Sequence, residues 1–261
     1  MKDLHLILEE LIPVMEEAGE IISGVRPMAV DEKSGHADLV TEYDIYVQHL
    51  LEEKLALIDP DAFFMGEEEE QTGDAQAEEL YIIDPIDGTA NFVYGYRHSC
   101  ISVGLRRHGE IQLAAIYHPW EKAMYTAIKG EGAFMNGKPI HVADSDLANS
   151  LVDFGSCPYY EDLRKRTVSV LSVLIDRVQD IRRRGSAALD LCDAAAGRCG
   201  AFFELRLSPW DYAAGSLLVT EAGGQITNEH GKPVSFTEKS SVVAGGKKAC
   251  LELLSILKDI Q

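Results

Sequence analysis

The segment with the clearest capacity for chemistry is Asp84-Pro85-Ile86-Asp87-Gly88-Thr89, in which two carboxylates stand three positions apart. Carboxylate and carbonyl oxygens are the ligands that hard divalent cations prefer. Pro85 stiffens the turn between the two acids, because its ring fixes φ and removes a backbone N–H. The two acids and the Ile86 carbonyl therefore indicate a divalent-cation site, although an Asp-Pro turn with a capping acid would explain the same residues without a metal.

The two residues after these acids suit a phosphate group. Gly88 and Thr89 would place backbone N–H groups at the start of a helix, where the helix dipole favours an anion. The Thr89 hydroxyl could also orient an attacking water. The segment thus combines candidate cation ligands with candidate phosphate donors.

Three further acids stand at strand ends or helix starts, and each also has an ordinary structural explanation. Glu67 follows the apolar run Ala62–Met65 and could belong to a solvated acidic loop. Asp44 lies at the start of a predicted second helix and could be a first-turn acid. Asp211 opens a predicted helix, Trp210–Glu221, in the same way. Four such segments fit one shared site better than coincidence.

Helices and strands that would position these acids are predicted along the whole chain. An amphipathic helix opens the chain, a second runs from the capping residue Thr41 to about Ile58, and a polar loop lies around Val30–Val40. A strand Tyr81–Ile83 is expected to end at Asp84-Pro85, and antiparallel strands are expected from Ser99 to about Ala127. Later elements are expected at Leu163–Ile175 (helix), Gln179–Arg183 (strand), Ser186–Ala196 (helix), Ala201–Glu204 (strand) and Trp210–Glu221 (helix).

The composition is that of an ordinary globular protein with a strong negative charge. Of 261 residues, 46% are hydrophobic and 26% are charged. No apolar run is long enough to span a membrane, and the N-terminus lacks the features of a signal peptide, so we expect a cytoplasmic protein without a membrane partner. The net charge of −19 argues against a nucleic-acid partner. A phosphate substrate would therefore need local positive charge, for which bound divalent cations are the natural source.

The five cysteines are scattered and have neither CxxC nor zinc-site spacing. We expect them to be reduced residues of the core, where free cysteine is usually found.

Together, the acidic segments resemble the inositol monophosphatase superfamily, which also contains fructose-1,6-bisphosphatases and 3′-phosphoadenosine phosphatases. The resemblance covers essentially the whole chain, and its most specific parts are the paired signatures Asp-Pro-Ile-Asp-Gly-Thr at 84–89 and Trp-Asp-x-Ala-Ala-Gly at 210–215. Other matching segments are Lys33-Ser34, Asp38 to Asp44, Gly66 to Glu68, Gly185 to Leu191, Glu204 and Gly223-Gly224. Tyr81 departs from the usual Trp, but both are large aromatic residues and we expect no loss of chemistry.

The resemblance implies an α/β fold, a layered α-β-α-β-α sandwich of the inositol monophosphatase and fructose-1,6-bisphosphatase type. We expect helices that flank an N-terminal antiparallel sheet and a smaller C-terminal sheet. Residues 1–145 would form an N-terminal half with most of the metal ligands, and residues 146–261 a C-terminal half that supplies Asp211 and the alcohol site. A homodimer is also expected by analogy.

The same resemblance implies two or three Mg²⁺ ions at the site. The implied ligands are Glu67, Asp84 and the Ile86 carbonyl for one ion, and Asp84, Asp87 and Asp211 for a second. Glu67 would also support a third, weaker ion near the Lys33 loop. Two such cations can clamp the attacking and leaving oxygens of an in-line displacement, and coordination lowers the pKa of a bound water.

Roles for the remaining residues also come from the resemblance. Thr89, hydrogen-bonded to Asp44, would position the attacking water, and Asp44 would accept its proton. Glu67 would contribute to catalysis through its metal ion. The substrate contacts implied are Gly88 and Thr89 for the phosphate, and Asp87, Ser186, Ala187, Glu204 and Asp211 for the alcohol. Without the family, Glu204 could equally be a surface acid at a strand end.

Acids around the alcohol favour an uncharged polyol over a second phosphate, because like charges repel at short range. The leading hypothesis is therefore hydrolysis of myo-inositol monophosphate, which the resemblance implies to be Mg²⁺-dependent and Li⁺-sensitive. The run Arg182-Arg183-Arg184, which is typical of a solvated face or an interface, could instead support a doubly phosphorylated substrate. A broad-specificity enzyme, or one acting on NADP, fructose 1,6-bisphosphate or 3′-phosphoadenosine 5′-phosphate, is the alternative within the class.

A hypothesis from a different class is a regulatory protein that keeps the fold to bind RNA polymerase or another partner. The complete set of metal-site carboxylates argues against a purely non-enzymatic role, since each buried acid is costly without its cation.

Overall fold

Two β-sheets with helices between and around them make up the protein, and a computed structural model describes residues 2–26, 30–32, 39–68 and 77–260. The helices are Leu4–Gly24 (α1), Glu42–Ile58 (α2), Thr89–Tyr94 (α3), Glu161–Leu174 (α4), Ala187–Ala195 (α5), Pro209–Glu221 (α6) and Lys247–Asp259 (α7). The strands are Val30–Glu32 (β1), Leu39–Thr41 (β2), Phe63–Gly66 (β3), Glu79–Asp87 (β4), Cys100–Arg107 (β5), Glu110–His118 (β6), Ala123–Ile128 (β7), Ala133–Met135 (β8), Lys138–Ile140 (β9), Leu151–Phe154 (β10), Asp180–Arg182 (β11), Ala201–Leu207 (β12), Gln225–Thr227 (β13) and Ser240–Gly245 (β14).

The larger sheet has seven strands in the order β3-β4-β5-β6-β7-β8-β9. β3 and β4 are parallel, and every later pair is antiparallel, as predicted for Ser99 to Ala127. The turn between β8 and β9 is made by Asn136 and Gly137, whose φ angles of 49° and 73° are those that a two-residue hairpin turn requires.

The smaller sheet has five strands in the order β11-β10-β12-β14-β13. β10 is parallel to both β11 and β12, whereas β14 is antiparallel to β12 and β13. All five strands come from residues after 150. The proposed division of the chain between residues 145 and 146 nevertheless stays a prediction.

Side chains that alternate along the strands decide which helices cover each face. On one face of the larger sheet, Ile83 packs with Leu51 of α2 in a core that also includes α1. On the other face, Ile82 belongs to a core with Leu218 of α6. The same core reaches Phe202 of the smaller sheet, so α5 and α6 lie between the two sheets.

The outer face of the smaller sheet is covered by α4 and α7. Phe203 packs there with Val170 of α4 and Leu253 of α7. The layers therefore follow the order helix, sheet, helix, sheet, helix, and the predicted α-β-α-β-α sandwich is confirmed.

The strand before the acidic segment is longer than predicted. β4 does not end at Asp84-Pro85 but continues through both residues to Asp87. Its pairing with β5 moves from Asp84 opposite Ser102 to Asp87 opposite Cys100, so the register shifts within this stretch. Pro85 has no N–H for the ladder, and a bulge accommodates it while redirecting the side chains that follow.

The predicted loop around Val30–Val40 is partly wrong, because β1 and β2 form a short antiparallel pair at its two ends. Lys33, Ser34 and Asp38 lie outside the described residues. The later helices and strands are present with bounds shifted by at most three residues.

All five cysteines are buried and free, as expected. Within the described parts of the chain, no helix has the length and apolar character needed to cross a membrane.

Candidate active site

Asp44 has a structural role at the start of α2. Thr41 caps this helix, and its N–H and hydroxyl donate to Asp44 Oδ2 over 2.8 and 2.6 Å. The other oxygen, Oδ1, lies 3.2 Å from the Thr89 hydroxyl, which is also 3.1 Å from the Ile86 carbonyl. Because a hydroxyl has one hydrogen, Thr89 donates to only one of the two at a time. Asp44 is thus both a helix-start acid and a partner of Thr89.

Three carboxylates meet where the end of β4 faces the start of α6. Asp84 and Asp87 are buried and Asp211 is partly exposed, and each offers an oxygen within 4.8 Å of the others. The bulge in β4 sets the positions of Asp84 and Asp87. Asp211 is held by a capping box, in which the Ser208 N–H donates to Asp211 Oδ2 over 2.6 Å. Glu67 follows β3, the strand next to β4, and lines the same cavity.

Burial and mutual repulsion raise the pKa values of these acids. The pKa of Asp84 lies well above its ordinary value because of burial and the charges of Glu67 and Asp87. The pKa of Asp211 is also raised well above its ordinary value, by burial and by the Asp87 charge. Burial raises the pKa of Asp87 to about 6, although hydrogen bonds from Ser186 and Ala188 oppose the shift.

The donor set fits a hard divalent cation. Among the described residues, no Lys or Arg forms an ion pair with Asp84, Asp87 or Asp211. Carboxylates crowded together in a buried site, without a basic partner, are stabilised by Mg²⁺ or a similar ion that accepts only oxygen ligands. The roles of individual acids as ligands stay predictions.

The start of α5 supports Asp87. Ser186 caps this helix, and its hydroxyl donates to Asp87 Oδ2, which also accepts the Ala188 N–H over 2.7 Å. The sequence suggested Ser186 and Ala187 only as contacts to the alcohol. The structure adds a contact that fixes the position of a candidate metal ligand.

The backbone conformation and the close neighbours of position 88 require a glycine there. Its φ is +87°, and a Cβ atom would lie 3.0 Å from the Gly185 carbonyl oxygen and 3.2 Å from that of His98. A larger residue would be strained and crowded there. The close approach keeps the backbone of Gly88 and Thr89 on the wall of the cavity.

Glu204, on β12, is buried beside the loop that follows β10. Its Oε1 accepts the Cys157 N–H over 3.0 Å, and a Cβ on Gly155 would lie 1.7 Å from its Oε2. Burial raises the pKa of Glu204 to about 7, opposed by the Cys157 hydrogen bond and the Arg183 charge. Sequence reasoning missed Gly155 and Cys157, because only the parallel pairing of β10 with β12 brings them to Glu204.

A cavity of about 300 Å³ connects these groups. The predicted residues that line it are Glu67, Asp84, Ile86, Asp87, Gly88, Thr89, Ser186, Ala187, Glu204 and Asp211. Asp44 is reached through Thr89. The proposed third ion near Lys33 cannot be placed, since Lys33 is outside the described residues. Tyr160, Arg183 and Lys239 also line the cavity. Of these, only Arg183 was considered from the sequence, as part of the run that could support a doubly phosphorylated substrate.

The arginine run does not form one solvated face. Arg182 pairs with Asp180, and Arg184 pairs with the buried Asp193. Arg183, between them, lines the cavity. Successive side chains of an extended segment point in opposite directions, and this separates the three arginines.

Comparisons with known proteins agree with this geometry. The sequence model of the inositol monophosphatase family matches residues 3–261. The inositol-1-monophosphatase of Bacillus subtilis is 36% identical over 219 residues, which cover 84% of this chain and 83% of that protein. The Nus factor SuhB of Escherichia coli K12 is 30% identical over 260 residues, which cover 98% of this chain and 97% of that protein.

Solved structures have the same fold. An IMPase from Thermotoga maritima superposes with a TM-score of 0.89 at 31% identity, covering 97% of each chain. An IMPase/NADP phosphatase complexed with Mg²⁺ and phosphate superposes with a TM-score of 0.88 at 26% identity, covering 98% of this chain and 96% of that one.

Proposed function

The chain belongs to the inositol monophosphatase family, and from this premise we propose that it is a Mg²⁺-dependent phosphomonoesterase that hydrolyses myo-inositol monophosphate to inositol and phosphate. The observation that supports the proposal most is the group of Asp84, Asp87 and Asp211, whose oxygens lie within 4.8 Å of one another. Such a group favours cation binding, and the cavity beside it is lined by hydrogen-bonding groups suited to a phosphate and a polyol.

Two or three Mg²⁺ ions are proposed, held by the carboxylates and the carbonyl of the acidic centre. The proposed ligands are Glu67, Asp84, the Ile86 carbonyl, Asp87 and Asp211. When bound, Mg²⁺ supplies positive charge for the phosphate and lowers the pKa of a water. This supply also resolves the problem that a chain of net charge −19 would otherwise repel its substrate.

Thr89 and Asp44 are proposed to handle the attacking water. The Thr89 hydroxyl orients the water, and Asp44 accepts a proton through the 3.2 Å contact between Thr89 Oγ1 and Asp44 Oδ1. Asp44 Oδ2 is occupied by Thr41, which fixes the carboxylate plane. Burial raises the pKa of Asp44 to about 6, and such a group exchanges protons readily near neutral pH.

The substrate is proposed to lie along the cavity with its phosphate on the Gly88 and Thr89 amides. The leaving alcohol would contact Asp87, Glu204, Asp211 and the start of α5. Carboxylates accept hydrogen bonds from hydroxyl groups, so a polyol is a suitable alcohol. Cytoplasmic location stays a prediction from the sequence, and homodimer formation and Li⁺ sensitivity stay predictions by analogy.

A second candidate is a regulatory role through binding to another protein. It is favoured by the 30% identity to a protein named as a Nus factor. The buried acids argue for catalysis beside any such role, because a fold kept only for surface contacts would be more stable without them.

The test is phosphate release from inositol 1-phosphate, fructose 1,6-bisphosphate, NADP and 3′-phosphoadenosine 5′-phosphate, with and without Mg²⁺, and with Li⁺ added to the active reactions. We expect Mg²⁺-dependent release from inositol 1-phosphate. Release only from another member would keep the mechanism and replace the substrate. No release from any of them, with a stoichiometric protein partner recovered instead, would support the regulatory role.

A further inference from the structure

The backbone of Glu67 is held differently from that of the other proposed ligands. Those ligands belong to β4 or to the first turn of α6, whereas Glu67 comes directly after β3, the outermost strand in the order of the larger sheet. The last residue of β3 that pairs with β4 is Gly66, opposite Ile83. The ladder of the sheet therefore ends one residue before Glu67.

Gln48, on α2, contacts the chain on both sides of Glu67. Its Oε1 accepts the Glu68 N–H over 2.9 Å. On the other side, a Cβ on Gly66 would lie only 2.3 Å from the Gln48 amide carbon. The Gln48 amide thus occupies the space that a side chain at position 66 would need, and the glycine allows β3 to lie this close to α2.

The burial of Gln48 needs a reason, because an amide that leaves water loses free energy unless it is hydrogen-bonded. The side chain is 1% exposed. Its Nε2 donates to Glu52 over 3.2 Å, and its Oε1 binds Glu68, so both ends of the amide have partners. Apart from Asp44, the other buried residues of α2 are apolar: Val47, Leu51, Leu55 and Ile58.

Asp44 lies one helical turn before Gln48, on the same side of α2. It contacts the Thr89 hydroxyl. The Glu67 charge raises the pKa of both Asp44 and Asp84, so the Glu67 carboxylate lies near both. One side of α2 therefore supports two parts of the acidic centre, Thr89 through Asp44 and the Glu67 segment through Gln48.

We infer that Gln48 is a positioning residue, which holds the Glu67 carboxylate at the proposed Mg²⁺ site by accepting the Glu68 N–H. The inference rests on the proposed function, because Glu67 has this role only if the acidic centre binds a cation. The neighbouring acids repel Glu67 when no cation is present, and a backbone held on both sides keeps its carboxylate among them. The Mg²⁺ ion then finds this ligand already in place.

The test is calorimetric titration of the metal-free wild type and Gln48→Met with Mg²⁺, without substrate. The new side chain is unbranched and of similar length, but it has no amide oxygen for the Glu68 N–H. We expect Mg²⁺ binding to weaken by about tenfold or more, as for the loss of a group that orients a metal ligand. With an ester that the wild type hydrolyses, kcat at saturating Mg²⁺ should stay within about twofold.

Two further variants separate positioning from a loss of stability. Leu51→Met is a volume-conserving change on the same buried side of α2 and should leave Mg²⁺ binding as in the wild type. Gln48→Glu keeps an oxygen that can accept the Glu68 N–H, and it should bind Mg²⁺ more tightly than Gln48→Met. Equal weakening in Gln48→Met and Leu51→Met would overturn the inference.

If Gln48→Met does not fold, Gly66→Ala tests the same contact, because the new Cβ displaces the Gln48 amide. We expect weaker Mg²⁺ binding in this variant, and unchanged binding would overturn the inference.

A double-variant cycle tests whether Gln48 acts through Glu67. In a Glu67→Gln background, Gln48→Met should have little further effect on Mg²⁺ binding, because the ligand that it positions is already lost. An undiminished effect in that background would contradict the inference.

Failure of this inference is distinguishable from failure of the proposed function. Mg²⁺ binding that Gln48→Met leaves intact would remove the role of Gln48 and keep the metal-dependent reaction. Weaker binding in Gln48→Met, in a protein whose wild type releases phosphate from no ester tested, would keep the role and remove the hydrolysis. A wild type that does not bind Mg²⁺ would overturn both.

Discussion

The side chains at the base of the cavity, Asp84 and Asp87, and those at its mouth, Arg183 and Lys239, are held in place in opposite ways. At the base, Asp84 and Asp87 are buried, fixed by backbone and hydroxyl donors, and close enough to repel each other. At the mouth, Arg183 and Lys239 are exposed and make long polar contacts. Charges at the base act in a medium of low polarity, whereas those at the mouth are screened by water.

This difference predicts where substitutions have large effects. A buried carboxylate without its cation is costly, so changes at the base should alter rate and stability strongly. An exposed cation contributes little on its own, so changes at the mouth should alter selectivity.

A large effect is expected for Thr89→Ala. Loss of the hydroxyl removes the 3.2 Å link to Asp44, and kcat should fall by about 100-fold or more, as for the loss of a proton-transfer group. Thr89→Ser is the matched control, since it keeps the hydroxyl, and should retain most of the activity. Steady-state kinetics with Mg²⁺ measures both variants. Equal activity of the Ala and Ser variants would exclude Thr89 from the reaction.

A second effect is expected on the free energy of unfolding, which should depend on pH and on Mg²⁺. The pKa of Asp87 is about 6 in the folded protein against an ordinary 3.8, so the metal-free folded protein binds this proton more tightly than the unfolded chain does. The stability contributed by this group is therefore present below about pH 4 and is lost as pH rises towards about 6. The loss is on the order of 3 kcal/mol for one such carboxylate.

Mg²⁺ should oppose this loss, because it competes with protons for the same oxygens. Thermal unfolding should show a larger Mg²⁺-induced rise in Tm at pH 8 than at pH 5. In Asp84→Asn, whose side chain cannot ionise, the rise at pH 8 should be much smaller. A rise in the wild type that is equal at both pH values would contradict cation binding by these acids.

A smaller effect is expected for Gly155→Ala on the wall between base and mouth. The new Cβ would overlap the Glu204 carboxylate, which must move away from the cavity wall. KM for inositol 1-phosphate should rise about tenfold while kcat stays within about twofold, since binding contacts are lost and the acids at the base are untouched. Gly24→Ala is the control, because a Cβ there meets no atom within 4 Å. An unchanged KM would remove Glu204 from the alcohol site.

Part of the base was predictable from the sequence because three of its candidate ligands are close in the chain. Asp84, Ile86 and Asp87 lie in one segment, whose residue types indicate oxygen ligands without knowledge of the fold. Asp211 and Glu67 are ordinary helix-start and loop acids by themselves; their recurrence at strand ends and helix starts suggested one shared site, and the resemblance to the family gave them roles in it. The layered fold was predicted in the same way and is confirmed.

The mouth and the wall were not predictable, because they depend on contacts between distant segments. Gly155 reaches Glu204 through the pairing of β10 with β12. The three arginines were interpreted as one patch, whereas alternation along the chain sends Arg183 alone into the cavity. The predicted end of β4 was also wrong, since a bulge allows a strand to continue past a proline.

The most direct test of the account is phosphate release by Asp87→Asn with saturating inositol 1-phosphate, across a series of Mg²⁺ concentrations. Asp61→Asn, at a surface position outside the cavity, is the matched control. We expect that Asp87→Asn keeps the fold, as judged by circular dichroism, and loses turnover at every Mg²⁺ concentration. Turnover close to that of the wild type and of Asp61→Asn would contradict the acidic centre as the place of catalysis.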